Sequence, residues 1–333
     1  MFDLFEFNLS MLSAFAVTLT LVLALFLDAQ LGEAKKYHYL VFFGRLSAAL
    51  EEKLNPNFST YPSNDRILKR SKFSQFIGLI AWLLLVLPVP MIYYFYFSNF
   101  SVVIQIIVDA IMLYLALGLR SLKEHGMQVY QPLLQNNLEA ARHYTGYLVS
   151  RETSTLTPKA LSRATVESIL ENGHDSVIAS LTYYLIGGIP LVIVHRLANT
   201  LDAMWGYKSA RYVSFGYASA RLDDLLGFFS GKVCTVLYAI QGQVLLALKN
   251  AFQQGGQYKS HNGGWVMAAG ATVMHRTIGG CAQYHGQTLQ GTLMGCGQAV
   301  DIEDIPKSIK LVQRASSLFV FFVVSYQLWV YIF

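Results

Sequence analysis

Glu167, Glu171, His174 and Asp175 gather three carboxylates and an imidazole within nine residues. If 166–175 is helical, they fall at about 0°, 40°, −20° and 80° around the axis, and Arg163 joins them at about −40°. Carboxylates stacked at i,i+4 repel by roughly a few tenths of a kcal/mol per pair, and Arg163 relieves that only in part. A divalent cation relieves it better, because Mg²⁺ takes one or two protein carboxylates and completes its shell with water and substrate phosphates. The stripe is either a solvated helix face or a holder of something cationic.

Three further polar sets have spacing that could serve chemistry. Arg196, Asn199 and Asp202 recur at i, i+3 and i+6 on a helix that Gly206 would end, and Tyr207, Lys208, Arg211 and Tyr212 follow where a phosphate could be gripped. Arg221-Leu-Asp223-Asp224 sets adjacent aspartates before an apolar run; Arg221 reaches Asp224 at i+3 while Asp223 points elsewhere. Charges that abut apolar segments in this way tend to face cavities and partners. Asp28 closes the first apolar run, with His38 and Arg45 after it. A glycine-rich tract (Asn262-Gly-Gly-Trp265, Gly279-Gly280, Tyr284-His285-Gly286) offers backbone amides to an anion. It carries no GxxxxGK[ST] signature, and His275, Cys281 and His285 match no zinc spacing; it reads as loop.

The elements that must position these groups are membrane helices. The 333 residues are 54% hydrophobic, 14% aromatic and only 14% charged, with a mean hydropathy of +0.39, whereas soluble domains carry about 25% charged residues. The pI near 8.9 comes from scattered charge and does not indicate nucleic acid. Three cysteines without metal-like spacing suggest small core residues. Runs at 9–27, 76–97, 101–119 and 316–333 are apolar over about the length that crosses ~30 Å of hydrocarbon. The first is not a signal peptide: no Lys or Arg precedes it, and Asp3 and Glu6 occupy its start. Pro88 and Pro90 should kink the second, and Asp109 lies inside the third. Two weaker runs, 177–194 with Gly187-Gly188-Ile189-Pro190 and 233–248 with Gln241-Gly242-Gln243, either cross or are re-entrant, which bilayer physics permits where protein covers the broken backbone.

Lys and Arg concentrate in 35–72 and 120–177, so both loops face the cytoplasm and both termini face outward. Because the weak runs come as a pair, that parity holds whether both cross or neither does. Residues 120–176 read as a helical cytoplasmic insert, with Thr157-Pro158 as cap and first position of a helix running into the acidic stripe. No linker, repeat or low-complexity tract appears, so the expectation is an all-α, polytopic membrane protein built as one domain over 1–333, with four firm and two weaker or re-entrant spans.

In their order and spacing these motifs resemble the CobD/CbiB family, adenosylcobinamide-phosphate synthases. The resemblance rests on Arg163-Ala-Thr-Val-Glu-Ser168 with Glu171-Asn172 and Asp175, on Ala198-Asn-Thr-Leu-Asp202 with Gly206-Tyr207 and Arg211-Tyr212, and on Phe215-Gly216 with Ala220-Arg-Leu-Asp-Asp-Leu-Leu226. Asn262, Gly264-Trp265, Gly279-Gly280 and Asp301-Ile302 complete it. Where members read Gly-Asp-Pro and His-Pro, this chain has Gly32-Glu33-Ala34 and His38-Tyr39; a Pro and a Glu after Gly-Trp are replaced by Val266 and Met267.

The resemblance implies an ATP-dependent, Mg²⁺-requiring ligase of the bacterial inner membrane, with its active site facing the cytoplasm. Such an enzyme joins adenosylcobyric acid to (R)-1-aminopropan-2-ol or its O-phosphate. It assigns Glu171, Asp175, Asp223 and Asp224 to the metal, and Glu167, Asp202, Asn172 and Asn199 to catalysis, with Asp202 or Glu167 as the base. Asp28, His38, Arg45, Arg163, Tyr207, Lys208, Arg211, Arg221 and Asn262 are assigned to substrate or phosphate. A homo-oligomer, or contact with later cobalamin-assembly enzymes, is compatible with it. The competing expectations are a non-enzymatic, AmpE-like signalling protein and, because of Asp109, a corrinoid transporter.

Overall fold

The computed structural model describes residues 12–33, 39–58, 71–97, 99–258, 260–280, 282–284, 287–289 and 291–333. The described residues are helical almost throughout, and among them four helical stretches are long and apolar enough to cross a membrane: Lys72–Phe97, Val102–Leu134, Pro158–Trp205 and Asp304–Ile332. It is a polytopic helical membrane protein. The first expected run appears as α1 (Ala16–Leu31), 16 residues long, and residues 9–11 lie outside those described. The set of strong spans therefore differs from the expected one, since 177–194 falls inside the Pro158–Trp205 stretch.

The other weak run is broken. Helix α10 (Tyr217–Ala239) ends before Gln241-Gly242, and α11 (Val244–Gln253) follows. Gln241 turns its amide onto the carbonyls of Leu237 and Leu311, at 2.9 and 3.2 Å. The two weak runs are thus unlike each other: one lies inside a long apolar stretch and the other is interrupted. Hydropathy alone does not reveal a break that a side-chain amide makes.

Where composition suggested one domain, the residues cluster into two compact units, each drawn from three separate stretches. Because the stretches interleave along the chain, no linker marks a boundary.

The first unit comprises residues 1–27, 33–116 and 180–227. It holds most of α1, then α2 (Tyr39–Leu54), α3 (Lys72–Val86), α4 (Pro88–Phe97), α5 (Val102–Ala116), most of α9 (Ala179–Trp205) and the start of α10. Ser71 caps α3 by accepting from the Ser74 amide at 3.3 Å, and Pro88 separates α3 from α4 as expected. Trp82, Leu85, Leu201, Trp205 and Phe215 form its core, with the Trp205 and Phe215 rings 5.0 Å apart, edge to face. Helix α3 approaches this core so closely that a methyl at Gly78 would overlap the Phe215 carbonyl. Gly78→Ala should lower stability by about 1–3 kcal/mol, read as an earlier melting transition in detergent.

Helix α9 is interrupted at Gly187 and Gly188. Gly188 has φ 61° and ψ −159°, a region open essentially to glycine alone. The backbone breaks there, and Pro190 sits in the first turn of the second half, where its missing N–H costs least.

The second unit comprises residues 28–32, 117–179 and 228–333. It contains α6 (Leu119–Leu134), α7 (Leu138–Leu148), α8 (Pro158–Gly173), a π-helical turn at His174–Ile178, the end of α10, α11 (Val244–Gln253), α12 (His261–Val273) and α13 (Asp304–Ile332). Thr157 caps α8 through the Ala160 amide at 3.3 Å, with Pro158 at its first position. The tract read as loop contains strands. β1 (Arg276–Gly279) lies between β4 (Leu293–Gly295), antiparallel, and β5 (Gln298–Ala299), parallel. β2 (Ala282–Tyr284) and β3 (Gln287–Leu289) form a hairpin.

Candidate functional site

The first unit carries a polar cluster built on α9 and α10. Asn199 on α9 donates to Asp223 Oδ1 on α10 at 3.4 Å, so two motifs 24 residues apart meet. Arg221 pairs with Asp224 at 3.5 Å with both side chains more than half exposed, an interaction worth about 0–1 kcal/mol. Asp202 curls its carboxylate back over the end of α9. The Gly206 amide donates to the Asp202 carbonyl at 2.7 Å, and a methyl at Gly206 would occupy the carboxylate's place. Gly206 is therefore glycine for room, and Asp202 is held where the helix ends. Tyr207 and Lys208 are exposed just beyond, and Arg45 is exposed on α2.

Arg211 has a partner the sequence reading missed. Its Nε lies 2.6 Å from Glu51 Oε1, a carboxylate with a side chain only 3% exposed. Asn55 donates to the same carboxylate at 3.2 Å and to the Arg211 carbonyl at 3.1 Å, and Tyr212 donates to Glu51 Oε2 at 3.3 Å. The guanidinium also stacks over Phe58, 4.2 Å from the ring centre. The hydrogen bond to Glu51 holds the Arg211 pKa above its ordinary value, and burial, aided by the Glu51 charge, raises that of Tyr212. Arg211 keeps about a third of its side chain exposed, so it is anchored at Nε while its outer face is open to an anion. His38 lies outside the described residues.

Asp109, the reason for considering transport, accepts from the hydroxyls of Tyr93 and Tyr184. Both carboxylate oxygens are engaged, and the intramembrane acid ties α4, α5 and α9 together. That accounts for a polar residue in a span without a moving substrate.

The second unit carries the acidic stripe, and its members separate by environment. Glu167 is clamped: Arg151 reaches Oε2 at 2.5 Å, the Gly279 amide donates to Oε1 at 2.7 Å, and Arg163 stands 3.9 Å from Oε1. Both oxygens of the Glu167 carboxylate are thus engaged, and the side chain ties the Gly279 amide to α8. Asn172 folds its amide onto Ser168 of its own helix, at 2.9 Å to the carbonyl. Glu171 abuts Gly263 in the first turn of α12, where the positive end of a helix favours an anion. Asp175 Oδ1 lies 2.7 Å from His174 Nδ1, and His174 Nε2 lies 2.9 Å from Ser230 Oγ, with both His174 and Ser230 buried. The imidazole shares a hydrogen bond with Ser230 at Nε2 and sets its other nitrogen against the Asp175 carboxylate.

Asp28 is a cap. Buried at the end of α1, it accepts from the Arg120 amide at 2.9 Å at the start of α6, whose own N-cap, Gly118, has no side chain to offer. Arg120 reciprocates by donating to the carbonyls of Ala29 and Gln30, at 2.8 and 2.6 Å. Substrate binding is not needed to explain Asp28.

Among the described residues no three His, Cys, Asp or Glu side chains converge to cage a cation.

A family model described as CobD/Cbib protein matches residues 21–312. "Cobalamin biosynthesis protein CobD" of Stutzerimonas stutzeri is 40% identical over 297 residues, covering 89% of this chain and 93% of that protein. The proteins of the same name from Chromobacterium violaceum and Halalkalibacterium halodurans are 39% and 32% identical, each over 89% of this chain and 92% of the relative. The chain belongs to the CobD/CbiB family. No solved structure matches it. Its role lies in cobalamin biosynthesis, and most of the motif residues carry groups in two polar clusters, one in each unit. Within this CobD/CbiB chain Glu51, Ser230 and Lys232 are additions from the structure. Glu51 and Lys232 read in the sequence as ordinary solvated charges, and only their burial or ring contacts set them apart.

Proposed function

We propose that this CobD/CbiB chain is an ATP-dependent acid–amine ligase. It would join the propionate carboxylate of adenosylcobyric acid to (R)-1-aminopropan-2-ol or its O-phosphate, giving adenosylcobinamide or its phosphate. The observation that carries the reading is the meeting of Asn199 with Asp223, in the unit that also holds Asp202 at the end of α9 and the cations of Lys208, Arg211 and Arg221. A proton acceptor, carboxylates for a divalent ion and cations for phosphate then belong to one unit.

ATP with Mg²⁺ supplies the phosphoryl group that turns an unreactive carboxylate into an acyl phosphate, a transfer that depends on positioning and charge neutralisation. Asp223 and Asp224 are the carboxylates of the first unit suited to a divalent ion, and Glu171 and Asp175, taken by themselves, are those of the second. Lys208, Arg211 and Arg221 neutralise phosphate charge, Arg211 from a fixed position because Glu51 holds its Nε. Asn199 orients Asp223. As the amine nitrogen attacks the acyl carbon, the acyl C–O bond to phosphate breaks, inorganic phosphate leaves, and Asp202 takes the proton that the amine sheds.

ATP is cytoplasmic, so residues 195–232 belong on the cytoplasmic side of the inner membrane. The backbone break at Gly187-Gly188 supports this reading, because it lets the first half of α9 enter and the second return without a full crossing. A Ser209→Cys protein should be labelled by thiol reagents only once they reach the cytoplasm; labelling by an impermeant reagent in intact spheroplasts overturns the topology.

The deciding assay combines purified protein, adenosylcobyric acid, aminopropanol phosphate, ATP and Mg²⁺. Amide product is expected, and it should vanish with Asp223→Asn and with Glu171→Gln while both variants elute as the parent does. Tight corrinoid binding with no ATP consumption would instead favour a sensor or carrier.

A further inference from the structure

Lys232 on α10 is a cation held by rings. Its Nζ lies 2.8 Å from the centre of the Trp265 ring on α12 and 5.1 Å from that of Phe228, one turn earlier on its own helix. Among the described residues, no carboxylate forms an ion pair with it. Burial brings its pKa down to about 8, the direction expected when an ammonium is desolvated without a counter-charge. Aromatic faces fix such a group and attract it weakly, but they do not neutralise it.

The surroundings are those of the acidic motif. At Gly231, the adjoining residue, a Cβ would stand 3.7 Å from His174 Nε2 and 3.8 Å from Asn262 Cβ. Asn262 and Gly263 open α12, a 13-residue helix capped by Ser260, and the Glu171 carboxylate abuts Gly263. An ammonium fixed on a ring of α12, and carried by the residue next to one that packs against the start of that helix and the acidic motif, has the chemistry of a phosphate seat, in which a cation meets phosphate oxygen atoms.

We propose that Lys232 binds an oxyanion, a phosphate group carried by the nucleotide or by the phosphorylated amine, with Trp265 and Phe228 holding its ammonium in place. Which molecule carries the phosphate rests on the ligase reading above; the seat itself does not.

The test uses the full chain in nanodiscs, titrated separately with Mg²⁺ and a non-hydrolysable ATP analogue, with aminopropanol O-phosphate, and with inorganic phosphate. Binding is followed by calorimetry and by tryptophan fluorescence, with Trp265→Phe identifying the reporting ring. Lys232→Gln should weaken one of the two phosphorylated compounds by about tenfold or more, and Lys232→Arg by much less, because a charge-assisted hydrogen bond is lost in the first and kept in the second. The compound affected names the source. In the parent, affinity should also fall by about tenfold per pH unit above about 8 as the ammonium deprotonates, and Lys232→Arg should abolish that fall. Glu171, His174, Asp175, Lys249 and His261 on neighbouring segments are common to both proteins, so the difference isolates residue 232. Equal affinities in parent and Lys232→Gln for all three probes overturn the seat, as does a parent that binds none of them. Binding that depends on Lys232 without amide formation leaves the seat standing and removes the ligase reading.

Discussion

Asp202→Asn is expected to lower amide formation by about 10²–10⁴-fold, the range ascribed to a positioned general base, with little change in the KM for ATP. The amine must lose a proton on becoming an amide, and an asparagine cannot take it. The carboxylate sits over Gly206 at the end of α9, partly exposed, so the neutral isostere should fold as the parent does. The expected dependence follows from the same step: raising the pH deprotonates more of the amine in solution and should rescue part of the variant's rate, while the parent gains less. A variant rate that stays parallel to the parent across pH 7–9 would remove Asp202 from the proton transfer. Glu167→Gln provides the contrast. Its carboxylate is bound by Arg151 and the Gly279 amide, so this change should first loosen the 276–295 strands and lower thermal stability.

The sequence shows best what depends on local pattern. Thr157-Pro158 announces a helix start because a capping hydroxyl and a proline act within one turn, and α8 begins there. Long apolar runs announce membrane helices because length and hydropathy are additive along the chain. What depends on distant partners is less visible. Glu51-Glu52 looks like any solvated pair, yet Glu51 is buried because Arg211 lies against it, 160 residues away. Glu167 and Asp28 resemble active acids by type and place, and become a clamp and a cap only when Gly279 and Arg120 are brought to them. The strands at 276–299 are two to four residues long, too short for an alternating pattern to rise above their glycines.

Arg211→Ala should destabilise the protein by about 3–5 kcal/mol, because it leaves Glu51 buried without its cation. Asn55 and Tyr212 remain as donors at 3.2 and 3.3 Å, which hydrogen-bond the carboxylate without neutralising it. If the loss came from the stacking on Phe58 and Tyr212, then removing the Glu51 charge as well would not help. If it comes from the uncompensated carboxylate, the double variant Glu51→Gln/Arg211→Ala should recover more than half of the lost stability, since a neutral amide pays far less for burial. Melting of parent, both single variants and the double variant in one detergent therefore separates the two causes. Ligase activity should stay low in the double variant even where stability returns, because the anchored guanidinium that faces the phosphates is gone. A double variant as unstable as Arg211→Ala would show that the guanidinium acts here through its packing, and that Glu51 is not what fixes it.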